Sequence, residues 1–199
     1  MKERLFGMIM LLFGSQMGLQ AQDFAAYQKL FWQQMSATCH AGLRWEKSVT
    51  ELDVDGKATT ETKIFDVDCY HGSAVAGETR IPLTKDEFGQ LFECAYDNPY
   101  YAPYLDVVKD ATGISANIKA GEEGRSKLRG QKFVVDPATG VLRMAETHIV
   151  KSSALYDLEV DFMVHFDAAG HYTSHTVETK TDVLLGGDLH TKIEAHILQ

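Results

Sequence analysis

The chain has 199 residues, a formal net charge of −9 and 45% hydrophobic side chains. A net negative surface argues against nucleic acid as a partner. The length allows one domain with a substantial core rather than two small ones.

The first residues read as an export signal. Lys2 and Arg4 give the basic start, Leu5 to Leu12 with Phe13 the apolar stretch, and Leu19-Gln20-Ala21 the cleavage site. Gly14, Ser15 and Gln16 interrupt the apolar run, so it falls short of the roughly 20 residues that span a bilayer. The first cysteine after the cut is Cys39, so the lipid-modified start of a bacterial lipoprotein is not indicated. These features predict a signal peptide over residues 1–21 and a soluble periplasmic or secreted domain over 22–199. That domain holds 17 basic and 27 acidic side chains in 178 residues, a formal charge of −10. An oxidising compartment favours one disulfide among Cys39, Cys69 and Cys94 with one thiol left over, the pairing being open.

Asp23 to about Ala37 has the pattern of a helix opened by an N-cap Asp, with Phe24, Tyr27, Leu30, Phe31 and Met35 on one stripe. Leu43 to Val54 and Ala58 to His71 then alternate as a long hairpin. A three-residue loop at Asp55-Gly56-Lys57 places Trp45 opposite Val67 and Leu43 opposite Cys69. The far ends of this hairpin are polar, so only its base is expected to be buried. Thr84 and Glu87 form a capping box for a second helix to about Tyr96, with Phe88, Leu91, Phe92 and Ala95 as its stripe. Tyr100, Tyr101 and Tyr104 follow as an aromatic cluster broken by Pro103. Residues 109–130 are polar and glycine-rich, with only Ile114 to Ile118 alternating as a short strand; residues 73–130 together read as a helix-containing insertion.

From Gln131 onward the chain reads as an antiparallel meander. Its segments are Lys132 to Asp136, Val141 to Lys151, Tyr156 to Asp167, His171 to Leu185 and Leu189 to Leu198, joined at Pro137-Ala138-Thr139-Gly140, Ala168-Ala169-Gly170 and Gly186-Gly187. The Tyr156 to Asp167 segment sets Tyr156, Leu158, Val160, Phe162, Val164 and Phe166 on one face and mostly polar residues on the other. The expected fold is α+β: a strongly curved antiparallel sheet of about seven strands or more, an incomplete barrel, covered by amphipathic helices.

Catalytic signals are weak. His165, His171, His175, His190 and His196 crowd the C-terminal strands, but His171 and His175 stand about 13 Å apart on one strand, too far to share an ion. They read as solvated surface histidines, and no metal is assigned. Asp66 and Asp68 share a strand face near Tyr70 and read as solvated carboxylates, and no nucleophile elbow occurs. The reading is of a non-enzyme without cofactor.

Two phrases, Phe133-Val134-Val135-Asp136-Pro137-Ala138-Thr139-Gly140-Val141-Leu142-Arg143-Met144 and Val164-His165-Phe166-Asp167-Ala168-Ala169-Gly170-His171-Tyr172, are each strand, polar turn, strand. With the order of elements around them, they give a chain that resembles the periplasmic lipoprotein carriers and outer-membrane lipoprotein-sorting proteins of two-membrane bacteria. The resemblance covers Asp23 to His71 and Gln131 to Leu198. It implies an incompletely closed barrel holding acyl chains in an apolar cavity, a lipid or acylated protein as partner, other envelope proteins as further partners, and only peripheral membrane contact. No residue here matches the arginine those carriers use in ligand release. The expected lining is Trp45, Phe65, Phe88, Phe92, Leu158, Val160, Phe162 and Val164, where each buried methylene of a ligand contributes about 0.8 kcal/mol. The alternative is an envelope protein-interaction or stress-sensing module without lipid transfer.

Overall fold

The computed structural model describes residues 24, 26–35, 37, 44–52, 57–68, 73–76, 79–82, 102–184 and 186–198. The signal segment, the three cysteines, the expected second helix with Phe88 and Phe92, and Tyr100 and Tyr101 lie outside them. The described strands are β1 (Arg44–Leu52), β2 (Ala58–Asp68), β3 (Ser73–Ala76), β4 (Thr79–Pro82), β5 (Leu105–Asp110) and β6 (Gly113–Ile118). They continue with β7 (Leu128–Val135), β8 (Leu142–Ser152), β9 (Tyr156–Phe166), β10 (Tyr172–Val183) and β11 (Leu189–Leu198).

All eleven belong to one antiparallel sheet in the order β4-β3-β2-β1-β11-β10-β9-β8-β7-β6-β5. It is two meanders joined by pairing of the first strand with the last: Arg44 lies opposite Leu198 and Leu52 opposite His190. Among the described residues no ladder joins β4 to β5, so the sheet is open. Residues 73–130, expected to be a helix-containing insertion, contribute β3 to β6 and the start of β7 to this same sheet. Within the polar, glycine-rich residues 109–130, the end of β5, β6 and the start of β7 are strand. β5 lies at an edge, with Asp106, Val108, Lys109 and Asp110 exposed while only Leu105 is fully buried.

Three hairpin turns share one construction. Asp136 Oδ1 accepts from the N–H groups of Ala138 and Thr139, and Asp167 Oδ1 from those of Ala169 and His171. Asp110 Oδ1 accepts from the N–H and hydroxyl of Thr112. An Asp side chain that bonds the backbone two residues on stabilises a turn, and a glycine at positive φ then returns the chain. Gly140 has φ 71° and Gly170 φ 88°. The Thr112 hydroxyl, and after it the Thr112 amide, holds the Asp110 carboxyl below the usual range, and the turn amides do the same for Asp136 and Asp167.

Among the described glycines Gly113 is the tightest: a Cβ there would sit 1.9 Å from the Phe133 carbonyl oxygen on the neighbouring strand, whereas one at Gly140 would meet nothing within 4 Å. Gly113→Ala is expected to cost about 1–3 kcal/mol, with Gly140→Ala losing less because only its positive φ is strained. Equal losses in urea unfolding would contradict this.

Among the described residues one α-helix, α1 (residues 24, 26–35 and 37), lies on the sheet. Phe24 meets the Phe133 ring edge-on at 6.2 Å, Tyr27 stacks on it at 6.1 Å, and Phe31 meets Phe166 edge-on at 5.8 Å. The i, i+3, i+7 spacing thus carries the helix across β7 to β9. The stripe continues at Gln34, not only at Met35 as the apolar pattern suggests, and Gln34 is 8% exposed. Its Nε2 donates to the carbonyls of Leu142 (2.9 Å) and Gly170 (3.0 Å), and its Oε1 accepts from the Leu142 N–H at 2.8 Å. The side-chain amide thereby stands where a neighbouring strand would bond to the start of β8, and also holds the β9–β10 turn.

The β1–β2 register differs from expectation by two residues: Trp45 lies opposite Phe65 and Leu52 opposite Ala58. A shift of two keeps every side chain on its expected face. Trp45 and Phe65 are buried while residues 58–64 are exposed, so the hairpin is covered only at its base.

Candidate functional site

The face of the sheet toward α1 is the inner face. On β9 it carries Tyr156, Leu158, Val160, Phe162, Val164 and Phe166, with Val160 to Phe166 buried and Leu158 half-buried. Strand pairing sets Ala145, Val164, His175, Ala195 and Lys47 in one row across β8, β9, β10, β11 and β1. Trp45 and Phe65, cross-strand partners with rings 5.7 Å apart, stand on the same face one step along β1 and β2.

His175 links the two groups. Its ring lies 5.4 Å from Trp45, 5.9 Å from Phe162 and 6.0 Å from Tyr172, and its Nδ1 is 2.8 Å from the Tyr172 hydroxyl. The side chain is 2% exposed. Burial, with a smaller push from the Lys47 ammonium, lowers its pKa from 6.5 to about 3, so the ring is neutral in the fold. This corrects the reading of His175 as a solvated surface residue.

The cause of that correction is a bulge. Tyr172 pairs with Phe166, but Ser174 pairs with His165, so one extra residue, Thr173, sits on β10. An extra residue reverses the alternation, and Tyr172 and His175, three apart, both point inward. His165 faces outward, and His171 is exposed beside Asp167 at 3.6 Å. His165, His171 and His175 therefore diverge. Residues with no apolar signature complete the inner face: Gln131 and Thr147 are buried, Gln131 Nε2 lying 3.4 Å from the Thr147 hydroxyl.

The structure brings Trp45, Phe65, Leu158, Val160, Phe162 and Val164 to one face. Among the described residues two buried side-chain polar atoms have no hydrogen-bond partner, Trp45 Nε1 and Ser126 Oγ. Burying an indole N–H without an acceptor costs about 1–3 kcal/mol. The orphaned donor lies within the apolar set, next to His175 and with the Lys47 ammonium 5.7 Å from its ring centre. A cleft of about 520 Å³ lies elsewhere, at the far ends of β8 to β11, lined chiefly by outward-facing residues.

Comparison with protein-family models and with curated proteins finds no match. Among solved structures, the chain is similar to the S-type phycobiliprotein lyase CPES of Guillardia theta. That likeness is 9% identical in sequence, covers 86% of this chain and 91% of that one, and has a TM-score of 0.29. The lipoprotein-carrier resemblance thus rests on the two strand–turn–strand phrases and the order of elements alone.

Proposed function

We propose that the inner face of the sheet binds a lipid-class molecule, its acyl chain laid along Val160, Phe162, Val164 and Phe65 and an acceptor oxygen turned to the Trp45 indole. What supports this reading above all is the unpartnered Trp45 Nε1 inside an apolar surface. A ligand acceptor there satisfies a donor that the protein leaves unpaired, while each methylene buried adds about 0.8 kcal/mol. The helix makes its ring contacts on β7 to β9, and Trp45 and Phe65, each 2% exposed, are buried beyond them. Among the described residues no helix is long and apolar enough to cross a membrane. In this reading the chain is exported, loses residues 1–21, and serves in the cell envelope as a non-catalytic carrier-like domain. Lipoprotein trafficking is its finer form, with an acylated protein as cargo.

The chain has two tryptophans, Trp32 and Trp45, so Trp32→Phe leaves Trp45 as sole reporter. Titrating that variant with a long-chain fatty acid is expected to change its fluorescence saturably, and Phe162→Asp is expected to abolish the change. A flat titration would overturn the reading.

A second reading, an envelope protein-interaction module, is favoured by Leu155, Leu184 and Leu189. These are 68%, 71% and 59% exposed at one end of the sheet, where the Leu184 N–H donates to the Leu155 carbonyl. Loss of partner capture on changing these leucines to serine, with fatty-acid binding absent, would favour it.

A further inference from the structure

The outer face of the sheet carries a group that the C-terminal histidine count passes over. His148 on β8 lies directly opposite Asp161 on β9, and Glu159, two residues earlier on β9, shares their face. One ligand atom from each of the three lies within 4.8 Å of the others. His148 Nδ1 is 2.7 Å from Asp161 Oδ1, and its Nε2 is 3.8 Å from Glu159 Oε1. Each ring nitrogen therefore faces a carboxylate.

With Nδ1 held against Asp161, Nε2 and the Glu159 carboxylate oxygen face each other across 3.8 Å, a gap that two metal–ligand bonds of about 2.0–2.2 Å reach across. Lys180, opposite Glu159, lies 3.3 Å from Glu178 and also feels the Glu159 and Asp161 charges, so an ion bound here competes with its ammonium. Asp161 on Nδ1 is placed as the carboxylate that fixes ring orientation in carboxylate–histidine–metal arrangements.

We propose that His148, Glu159 and Asp161 form a binding site for one divalent transition-metal ion of the zinc class, with Nε2 and Glu159 as ligands, Asp161 bracing the ring, and water in the open positions. One imidazole with carboxylate oxygens suits such borderline ions better than calcium, which takes oxygen ligands alone. The side chains are 31%, 46% and 52% exposed, so the ion keeps access to solvent. The outer cleft lies beside it: Glu159 lines it together with Asp157, Lys180, Asp182 and His190. A metal there would present its water positions to a small anionic or chelating molecule in that cleft. The site is on the opposite face from the proposed lipid surface and stands independently of it.

The test is calorimetric titration of the full chain with zinc chloride, repeated with cobalt(II) chloride under visible absorption. One ion per chain is expected, with affinity about tenfold or more weaker in His148→Ala, Glu159→Gln and Asp161→Asn. His171→Ala, which removes an exposed histidine 3.6 Å from Asp167 at the β9–β10 turn, is expected to keep wild-type affinity. Circular dichroism checks that all four variants fold, which their exposure favours. No binding in the wild type, undiminished binding in His148→Ala, or equal loss in His171→Ala would each overturn the proposal.

Discussion

Replacing Gln34 by leucine is expected to destabilise the protein by about 3–5 kcal/mol, measured by urea unfolding at neutral pH. The amide satisfies three backbone groups at once: the N–H and carbonyl of Leu142 and the carbonyl of Gly170. Each buried group left unpaired costs about 1–3 kcal/mol, against which leucine recovers part through apolar burial. Gln34→Glu separates the donor and acceptor roles. A carboxylate still accepts from Leu142 N–H but cannot donate to two carbonyls, and it buries a charge. Its loss is expected to be at least as large as that of leucine near neutral pH and to shrink once the carboxyl is protonated. A change below about 1 kcal/mol for both variants would show that α1 is held by its ring contacts alone. Gly170 belongs to the same joint, since a Cβ there would approach the Gln34 side chain at 3.1 Å.

Between pH 7.5 and pH 5 the protein is expected to lose about 2 kcal/mol of stability through His175 alone. The folded pKa is lowered to about 3 by burial first and by the Lys47 charge second, while the unfolded value is about 6.5. Above about pH 6.5 both states hold the neutral ring and the contribution is fully present. As pH falls further the unfolded chain takes up a proton that the folded one refuses. Stability then declines by about 1.4 kcal/mol per pH unit until the folded value is reached. Asp110, held low by the Thr112 hydroxyl and then its amide, and Asp136 and Asp167, held low by turn amides, act in a separate window. Their contribution is present above the ordinary Asp value and is lost as pH falls below it. His175→Gln is expected to flatten the slope between pH 7.5 and pH 5 by about 2 kcal/mol while retaining a hydrogen-bonding partner for Tyr172. An unchanged slope would place the acid sensitivity elsewhere.

The long C-terminal strands were legible because two local signals agree in them. The alternation of Tyr156 to Phe166 names the buried face, and the Asp…Gly turns at Asp136 to Gly140 and Asp167 to Gly170 fix where the chain reverses. Elsewhere the signals part company. Residues 53–57 do not define which of them belong to the loop, and the register slipped by two without disturbing the faces. Thr173 is an ordinary strand residue, so nothing local marks the bulge that turns His175 inward. Gln34 was passed over because an apolar stripe is read by counting apolar residues, and a buried amide is explained only by the Leu142 and Gly170 backbone it meets far along the chain. The His148–Asp161 pairing was available in principle. Ser152 lies opposite Asp157 across a short turn, and counting back along both strands brings 148 to 161. Pairing of the first strand with the last joins residues about 150 apart in sequence, beyond the reach of any local pattern.

The central question is whether the inner face around Trp45, Phe65 and Phe162 holds a lipid. The direct measurement is mass spectrometry of an organic extract of the full chain purified from a bacterial envelope without detergent, set beside Phe162→Asp prepared in the same way. An acyl-chain molecule near one per chain in the wild type, and lost in the variant, is the result predicted. Wild-type protein free of acyl-chain molecules, or equal amounts in both preparations, would contradict it.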